Sequence, residues 1–142
     1  MVANIRHVGI VVADLKKSLF FYRTLLGFKI VKEMEEAGDY INTMLSLSNV
    51  KVTTVKMSSS KGQMIELLKY NSHPTEQKLR KVFEIGISHL AITVDDLDAE
   101  YEKLKRRGVN FNSSPQFSPD GHVKVAFCKA PEGTLIELVE VL

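Results

Sequence analysis

The chain of 142 residues repeats itself once, and this duplication limits the folds open to it more than any other feature. At an offset of 82 residues the start of each half matches, and the identical pairs are Ile5/Ile87, His7/His89, Ile10/Ile92, Val12/Val94, Asp14/Asp96 and Leu15/Leu97. At an offset of 71 residues the end of each half matches, and the identical pairs are Gly62/Gly133, Ile65/Ile136, Glu66/Glu137 and Leu67/Leu138. The sequence therefore predicts two copies of one module.

The first half alternates between β-branched apolar segments and one segment with helical spacing. Asp14 has the position of a helix N-cap, and Gly27 has the position at which a helix ends. The predicted elements are a strand at 5–13, a helix from 15 to 26, an extended segment at 28–33, a short helix or turn at 40–47, and strands at 51–57 and 63–70 joined by a turn.

The second half follows the same order after a charged linker at 71–84 that contains Pro74, for which part-helical structure is left open. Asp96 is the predicted N-cap of its helix, and Gly108 follows the helix end. The predicted elements are a strand at 86–94, a helix at 97–107, an extended segment at 109–112, a loop at 113–121, and strands at 123–128 and 134–141. We expect one α+β domain over 1–142, with modules at about 1–71 and 85–142.

Each module places one histidine in its first strand and one glutamate in its last, among apolar neighbours. These four residues are His7, Glu66, His89 and Glu137. An ionised carboxylate removed from water costs several kcal/mol unless it is paired or bound to a metal. Because the repeat places the four residues at equivalent positions, we predict that they converge on one divalent cation. Nitrogen and oxygen donors without thiolates suit Ni²⁺, Co²⁺, Zn²⁺, Mn²⁺ or Fe²⁺.

Strand alternation assigns the predicted ligands to one face of each module. His7 shares a face with Gly9 and Val11, whereas Val8, Ile10 and Val12 point to the other side. In the second module His89 lies with Ala91 and Thr93, opposite Leu90, Ile92 and Val94. The strongly apolar faces are expected to pack on the helices. The competing interpretation is that the four residues form salt bridges or face solvent.

Composition excludes several other classes of function. The net charge is +2, and the basic residues are scattered except for the helix end at 103–107, so nucleic-acid binding is not expected. No apolar run approaches the ~18 residues of a membrane span, and the N-terminus has no signal-peptide pattern, so we expect a cytoplasmic protein. The single cysteine, Cys128, lies in a predicted strand and is interpreted as a core residue rather than a nucleophile.

The sequence resembles the vicinal oxygen chelate superfamily, which includes glyoxalase I, methylmalonyl-CoA epimerase, extradiol dioxygenases and the fosfomycin- and bleomycin-resistance proteins. The resemblance covers nearly the whole chain, and its carriers are residues 7–15 (HVGIVVADL), 21–28 (FYRTLLGF), 65–67 (IEL), 89–97 (HLAITVDDL) and 131–138 (PEGTLIEL). It implies two βαβββ modules that form an eight-stranded open barrel around the metal. It also implies a homodimer.

The resemblance implies an enzyme of the lyase or isomerase type, similar to lactoylglutathione lyase or to an epimerase, acting on a small-molecule or thioester substrate. The full His/Glu/His/Glu set resembles bacterial glyoxalase I and some epimerases. Such an enzyme removes a proton next to a carbonyl, with the metal as Lewis acid and Glu137 or Glu66 as the catalytic base. The alternatives are a non-haem iron dioxygenase, if Glu66 stays off the metal, and a non-catalytic binding protein of the resistance type.

Several further residues are weaker candidates for contact with a substrate. His122, Tyr40 and Phe127 are named as possible substrate contacts, against the alternative that they lie at the surface or in the core. Glu35 and Glu36 are the nearest candidates for the second catalytic base that the epimerase resemblance implies.

Overall fold

The computed structural model describes residues 1–78 and 80–142. These residues divide into two compact units, Met1–Gln77 and Lys78–Leu142. We refer to them as the N-terminal unit and the C-terminal unit.

The N-terminal unit is a four-stranded sheet with two short helices. Its strands follow the spatial order β1-β4-β3-β2, in which β1 pairs with β4 in parallel and the other pairs are antiparallel. Its elements are β1 (Val8–Val11), α1 (Leu15–Leu19) with a π-helical continuation (Phe20–Leu25), β2 (Lys29–Ala37), α2 (Asp39–Leu45), β3 (Lys51–Ser58) and β4 (Met64–Tyr70).

The C-terminal unit repeats this topology with one helix. Its strand order is β5-β8-β7-β6, again with a parallel pairing of the first and last strands. Its elements are β5 (His89–Thr93), α3 (Leu97–Arg106), β6 (Gln116–Phe117), β7 (Val123–Lys129) and β8 (Leu135–Val141). The predicted α+β fold of two strand–helix–three-strand modules is confirmed. The eight-stranded barrel stays an expectation.

The two equivalent aspartates begin the helices as predicted. Asp14 Oδ1 accepts a hydrogen bond from the backbone N–H of Lys17 at 3.0 Å, and Asp96 Oδ1 accepts one from Ala99 at 2.9 Å. Each carboxylate thereby satisfies a backbone donor that has no partner within its helix. After each helix a glycine takes a positive φ, 81° at Gly27 and 82° at Gly108, which residues with a Cβ rarely adopt.

Most of the buried core lies on the predicted apolar face of each sheet, whereas Val52 and Ile41 form a smaller buried cluster on the other side of the N-terminal sheet. In the N-terminal unit Ile10 and Val12 are buried, whereas Gly9 and Val11 are exposed. In β5 Leu90 and Ile92 are half-buried and alternate with exposed residues. The buried side chains that fill the two cores include Tyr22, Val55, Met57, Ile65 and Leu67 in the first unit, and Leu97, Leu104, Ala126, Ile136 and Leu138 in the second.

A buried lysine ties α3 to its sheet. Lys124 of β7 donates from Nζ to Asp98 at 2.8 Å and to Glu140 at 3.4 Å, and these carboxylates raise the pKa of Lys124. Glu140 also accepts a hydrogen bond from the backbone N–H of Leu97 at 2.9 Å. The start of α3 is therefore held by a carboxylate from β8 in addition to its own cap.

The structure differs from the predicted elements in several places. The strands predicted at 5–13 and 86–94 are shorter, and the extended segment predicted at 109–112 forms only an isolated bridge at Phe111. The predicted helix from 15 to 26 changes to π-helical hydrogen bonding at Phe20, and β2 runs to Ala37 because it pairs with all of β3. A two-residue strand, β6, interrupts the predicted loop at 113–121 by pairing with β7. The linker at 71–84 contains no helix among its described residues. Among the residues that the structure describes, no helix is long and apolar enough to cross a membrane.

Truncation of the equivalent leucines Leu67 and Leu138 should destabilise the protein by similar amounts. Both side chains are fully buried, so we expect Leu67→Ala and Leu138→Ala each to lower the free energy of unfolding by about 2–5 kcal/mol in urea denaturation. The control Leu47→Ala, at a residue that is 41% exposed, should change it by less than about 0.5 kcal/mol. Equal effects of all three substitutions would contradict the assignment of the two cores.

Candidate metal centre

In the N-terminal unit the parallel pairing of β1 and β4 brings His7 to Glu66. The register places Gly9 opposite Glu66, and His7 lies two residues earlier on the same face. His7 Nε2 is 3.1 Å from Glu66 Oε2. A side chain at Gly9 would approach the Leu68 side chain to 3.3 Å, so this position is suited to glycine. The side chains of His7 and Glu66 are 30% and 12% exposed, so the pair remains partly open to solvent.

In the C-terminal unit the pairing of β5 and β8 produces the same arrangement. Ala91 lies opposite Glu137, and His89 lies two residues earlier on the same face. His89 Nε2 is 3.0 Å from Glu137 Oε2, and the side chains are 37% and 22% exposed. The repeat therefore reproduces the register of the strands and the contact between the two polar side chains. We call the side of each sheet that bears the histidine and the glutamate the site face.

The residue next to the glutamate on the site face differs between the units. In the N-terminal unit Lys56 of β3 is opposite Glu66, with Nζ 3.7 Å from Oε1. In the C-terminal unit the equivalent residue is Phe127, opposite Glu137, and its ring packs edge-on against His89 with centroids 5.3 Å apart. Sequence reasoning named Phe127 but missed Lys56. The offset of 71 residues that aligns the two glutamates also aligns Lys56 with Phe127 and would have revealed it.

The donor atoms of each pair fit a divalent ion. Two ligand atoms at ~2.1 Å from a metal and at right angles to each other lie ~3.0 Å apart, close to the separations in both pairs. The same separation fits a direct N–H···O hydrogen bond. Within each unit's described residues, no cluster of three or more His, Cys, Asp or Glu side chains forms. Each unit thus supplies one imidazole and one carboxylate.

The other sequence candidates take different positions. Phe127 contacts His89, whereas Tyr40 on α2 is 76% exposed and His122, in the turn before β7, is also exposed. Glu35 lies on the side of the sheet away from the site face and accepts a hydrogen bond from Thr53 Oγ1 at 2.6 Å. Glu36 lies on the site face, opposite Val52.

The family model described as the glyoxalase/bleomycin resistance protein/dioxygenase superfamily matches residues 4–138 of the chain. The chain belongs to this superfamily. The duplicated topology and the repeated His–Glu contact are the structural features that agree with the match.

Individual superfamily members extend this similarity. A probable lactoylglutathione lyase of Vibrio parahaemolyticus is 32% identical over 96% of this chain and 90% of its own length. The 2-epi-5-epi-valiolone epimerase of an Actinomyces species is 25% identical over 95% of this chain and 78% of its own length. The crystal structure of a glyoxalase family protein from Bacillus cereus superposes with a TM-score of 0.90 at 23% identity, covering 100% of this chain and 96% of that one. Superfamily membership supports lyase or epimerase activity.

The single cysteine of this superfamily member lies outside the site. Cys128 is fully buried on the face of β7 opposite to Phe127, and burial raises the pKa of its thiol to about 12. A thiol with this pKa is a poor nucleophile and a poor metal ligand at neutral pH. The prediction that Cys128 is a core residue is confirmed.

Cys128 should resist labelling in the folded protein. With a pKa of about 12, only about one thiol in 10⁴ is ionised at pH 8. We expect dithionitrobenzoate to react slowly with the native protein and to label one thiol per chain rapidly in concentrated urea, as followed by absorbance. Equally fast labelling in both conditions would show that the thiol is accessible.

Proposed function

We propose that the protein is a divalent-metal-dependent enzyme of the glyoxalase-like lyase or epimerase type. The observation that carries this proposal is the duplicated His–Glu contact, 3.1 Å in one unit and 3.0 Å in the other, at equivalent positions of equivalent strands. His7, Glu66, His89 and Glu137 are proposed as the ligands of a single ion. The ion is Ni²⁺, Co²⁺, Zn²⁺, Mn²⁺ or Fe²⁺, since the donors are nitrogen and oxygen.

The burial of the two glutamate carboxylates supports this set of metal ligands. Glu66 and Glu137 are 12% and 22% exposed and are flanked by apolar neighbours on β4 and β8. Such carboxylates need a cationic partner. Glu66 has Lys56 nearby, and a divalent ion would satisfy both carboxylates together with the two imidazoles. A shared ion explains why both positions keep the same residue types.

The proposed reaction moves a proton next to a carbonyl group. A divalent ion, when bound, supplies Lewis acidity that stabilises negative charge on the carbonyl oxygen. Glu137 is the proposed base, with Glu66 as the alternative. Released from its role as ligand when substrate binds, the carboxylate would take the proton as the C–H bond breaks and return it to carbon. Return of the proton by the same carboxylate to the adjacent carbon gives an isomerisation. An epimerisation requires a second carboxyl group, for which Glu66 is the candidate, to protonate the opposite face of the original carbon. His89 Nε2 lies 3.0 Å from Glu137 Oε2, so the imidazole and the carboxylate are close enough to be ligands of the same ion.

The site face also offers apolar surface to which a substrate could bind. Val11, on the face that carries His7, is 57% exposed and supplies apolar surface beside the pair. Phe127 supplies aromatic surface beside His89. We propose a small-molecule or thioester substrate whose carbon framework lies against such surfaces. We further propose a cytoplasmic homodimer, in keeping with the superfamily resemblance.

One contact favours a second candidate function. Lys56 Nζ is 3.7 Å from Glu66 Oε1, and a lysine so close competes with a metal for this carboxylate. If Glu66 stays with Lys56, the remaining ligands are His7, His89 and Glu137. Two histidines and one carboxylate form the facial triad of non-haem Fe²⁺ oxygenases. The second candidate is therefore an iron-dependent dioxygenase.

Replacement of the proposed base should abolish turnover without unfolding the protein. With Ni²⁺- or Zn²⁺-loaded protein and the hemithioacetal of methylglyoxal and glutathione or an acyl-CoA thioester as substrate, we expect Glu137→Gln to lower kcat by about 100-fold or more. The amide cannot accept the proton, but it keeps the shape of the side chain. Circular dichroism should show an unchanged fold, and Glu102→Gln, on the exposed side of α3, should retain full activity.

The same assay separates the two candidate functions. Solvent deuterium incorporated next to the substrate carbonyl supports the lyase or epimerase. Oxygen consumption with an Fe²⁺-loaded sample and a catechol supports the dioxygenase. Full activity of Glu137→Gln on a turned-over substrate would eliminate the proposed role of this carboxylate.

A further inference from the structure

The site face of the N-terminal unit carries a row of four directly opposed residues. Gly9, Glu66, Lys56 and Lys32 face one another across β1, β4, β3 and β2. Opposed residues of paired strands project from the same face and lie about 5 Å apart. Two lysines therefore stand side by side next to the proposed metal ligand Glu66.

The C-terminal unit has no cation at the position equivalent to Lys56. At the positions equivalent to Gly9, Glu66 and Lys56 it has Ala91, Glu137 and Phe127. The glutamates match and the small residues match, but the aromatic ring of Phe127 replaces the lysine. Since the two halves share the pairing of the small residue, the glutamate and the residue opposite it, a cation beside Glu66 is a departure from the duplicated pattern.

The positive charge of the two lysines in this row exceeds the negative charge of Glu66. With His7 neutral, one carboxylate and two lysines give the row a formal charge of +1. Glu66 divides its oxygens between His7 and Lys56. The other acidic residue on the site face of β2, Glu36, is four residues from Lys32, which corresponds to ~13 Å along a strand. This exceeds the ~8–10 Å over which exposed charges interact at physiological ionic strength.

Lys56 combines partial burial with access to solvent. Its side chain is 33% exposed, so part of it is open to solvent and to a bound molecule. A lysine ammonium acts as a compact positive charge with three donors, which suits a carboxylate or phosphate oxygen without a fixed bidentate geometry.

We propose that Lys56, with Lys32 beside it, binds an anionic group of the substrate, a carboxylate or a phosphate. The inference rests on the proposed function, because it assumes that the substrate lies on the site face next to Glu66. Lys56 acts as a specificity-determining residue that positions the anionic end of the molecule. The reacting carbon is then held near the His–Glu ligands.

The test measures binding of small anions to the full chain by NMR. Succinate and inorganic phosphate serve as probes, and neutral succinamide serves as the uncharged comparison. For the unmodified protein we expect saturable shifts of the backbone amides of β2, β3 and β4 near the row with both anions, and none with succinamide. Tighter binding of succinate identifies a carboxylate substrate, and tighter binding of phosphate identifies a phosphorylated one.

Three variants make the assignment specific. Lys56→Met keeps the length of the stem and removes the charge, so we expect the dissociation constant to rise by about 10-fold or more. Lys56→Arg should remain within about 3-fold of the unmodified protein, because its charge persists. Lys51→Met, on the same strand but away from the site face, should leave binding unchanged. An unchanged dissociation constant in Lys56→Met, or amide shifts confined to other strands, would overturn the proposal.

A Co²⁺ titration of the same samples separates this proposal from the proposed function. Co²⁺ absorbance that develops normally while Lys56→Met binds anions as well as the unmodified protein eliminates only the anion site. Anion binding that depends on Lys56 in a protein that takes up no Co²⁺ eliminates the metal-dependent function instead.

Discussion

The parallel pairing of the first and last strand of each unit is the constraint on which the candidate site depends. It places the residue two positions after each histidine opposite a glutamate, Gly9 opposite Glu66 and Ala91 opposite Glu137. A one-residue shift of either pairing would turn the carboxylate to the opposite face. The register is fixed by the apolar residues between the polar ones, such as Ile10 and Leu67, which are buried opposite each other. The packing of the core therefore determines which side chains meet on the site face.

Much of the fold could be predicted because the repeat and the strand alternation reflect local physics. Asp14 and Asp96 are helix caps, and Ile10 and Val12 are buried, as their residue types and spacing indicate. The strand β6 escaped prediction because two residues between prolines carry no periodic signal, and their pairing with β7 is a tertiary contact. The π-helical turn after α1 has no signature in a single sequence either.

The sequence predicted the histidines and glutamates of the candidate site but not the residues that surround them. Duplication identified the histidines and glutamates, but Lys56 looks like any exposed strand lysine until the register of β3 and β4 places it opposite Glu66. Lys124 was equally hidden, and it serves the fold rather than the site by joining β7 to Asp98 and Glu140. Two lysines of the same sequence type thus have different roles because they project from opposite sides of their sheets.

Calorimetric titration with Ni²⁺ or Zn²⁺ tests most directly whether the two His–Glu pairs act as one centre. The account predicts one ion per chain, with His7→Gln and His89→Gln each weakening its binding by about 10-fold or more, because each removes a ligand of the same ion. Two independent ions per chain, each lost with only one of the variants, would contradict a shared centre. So would the absence of binding in the unmodified protein.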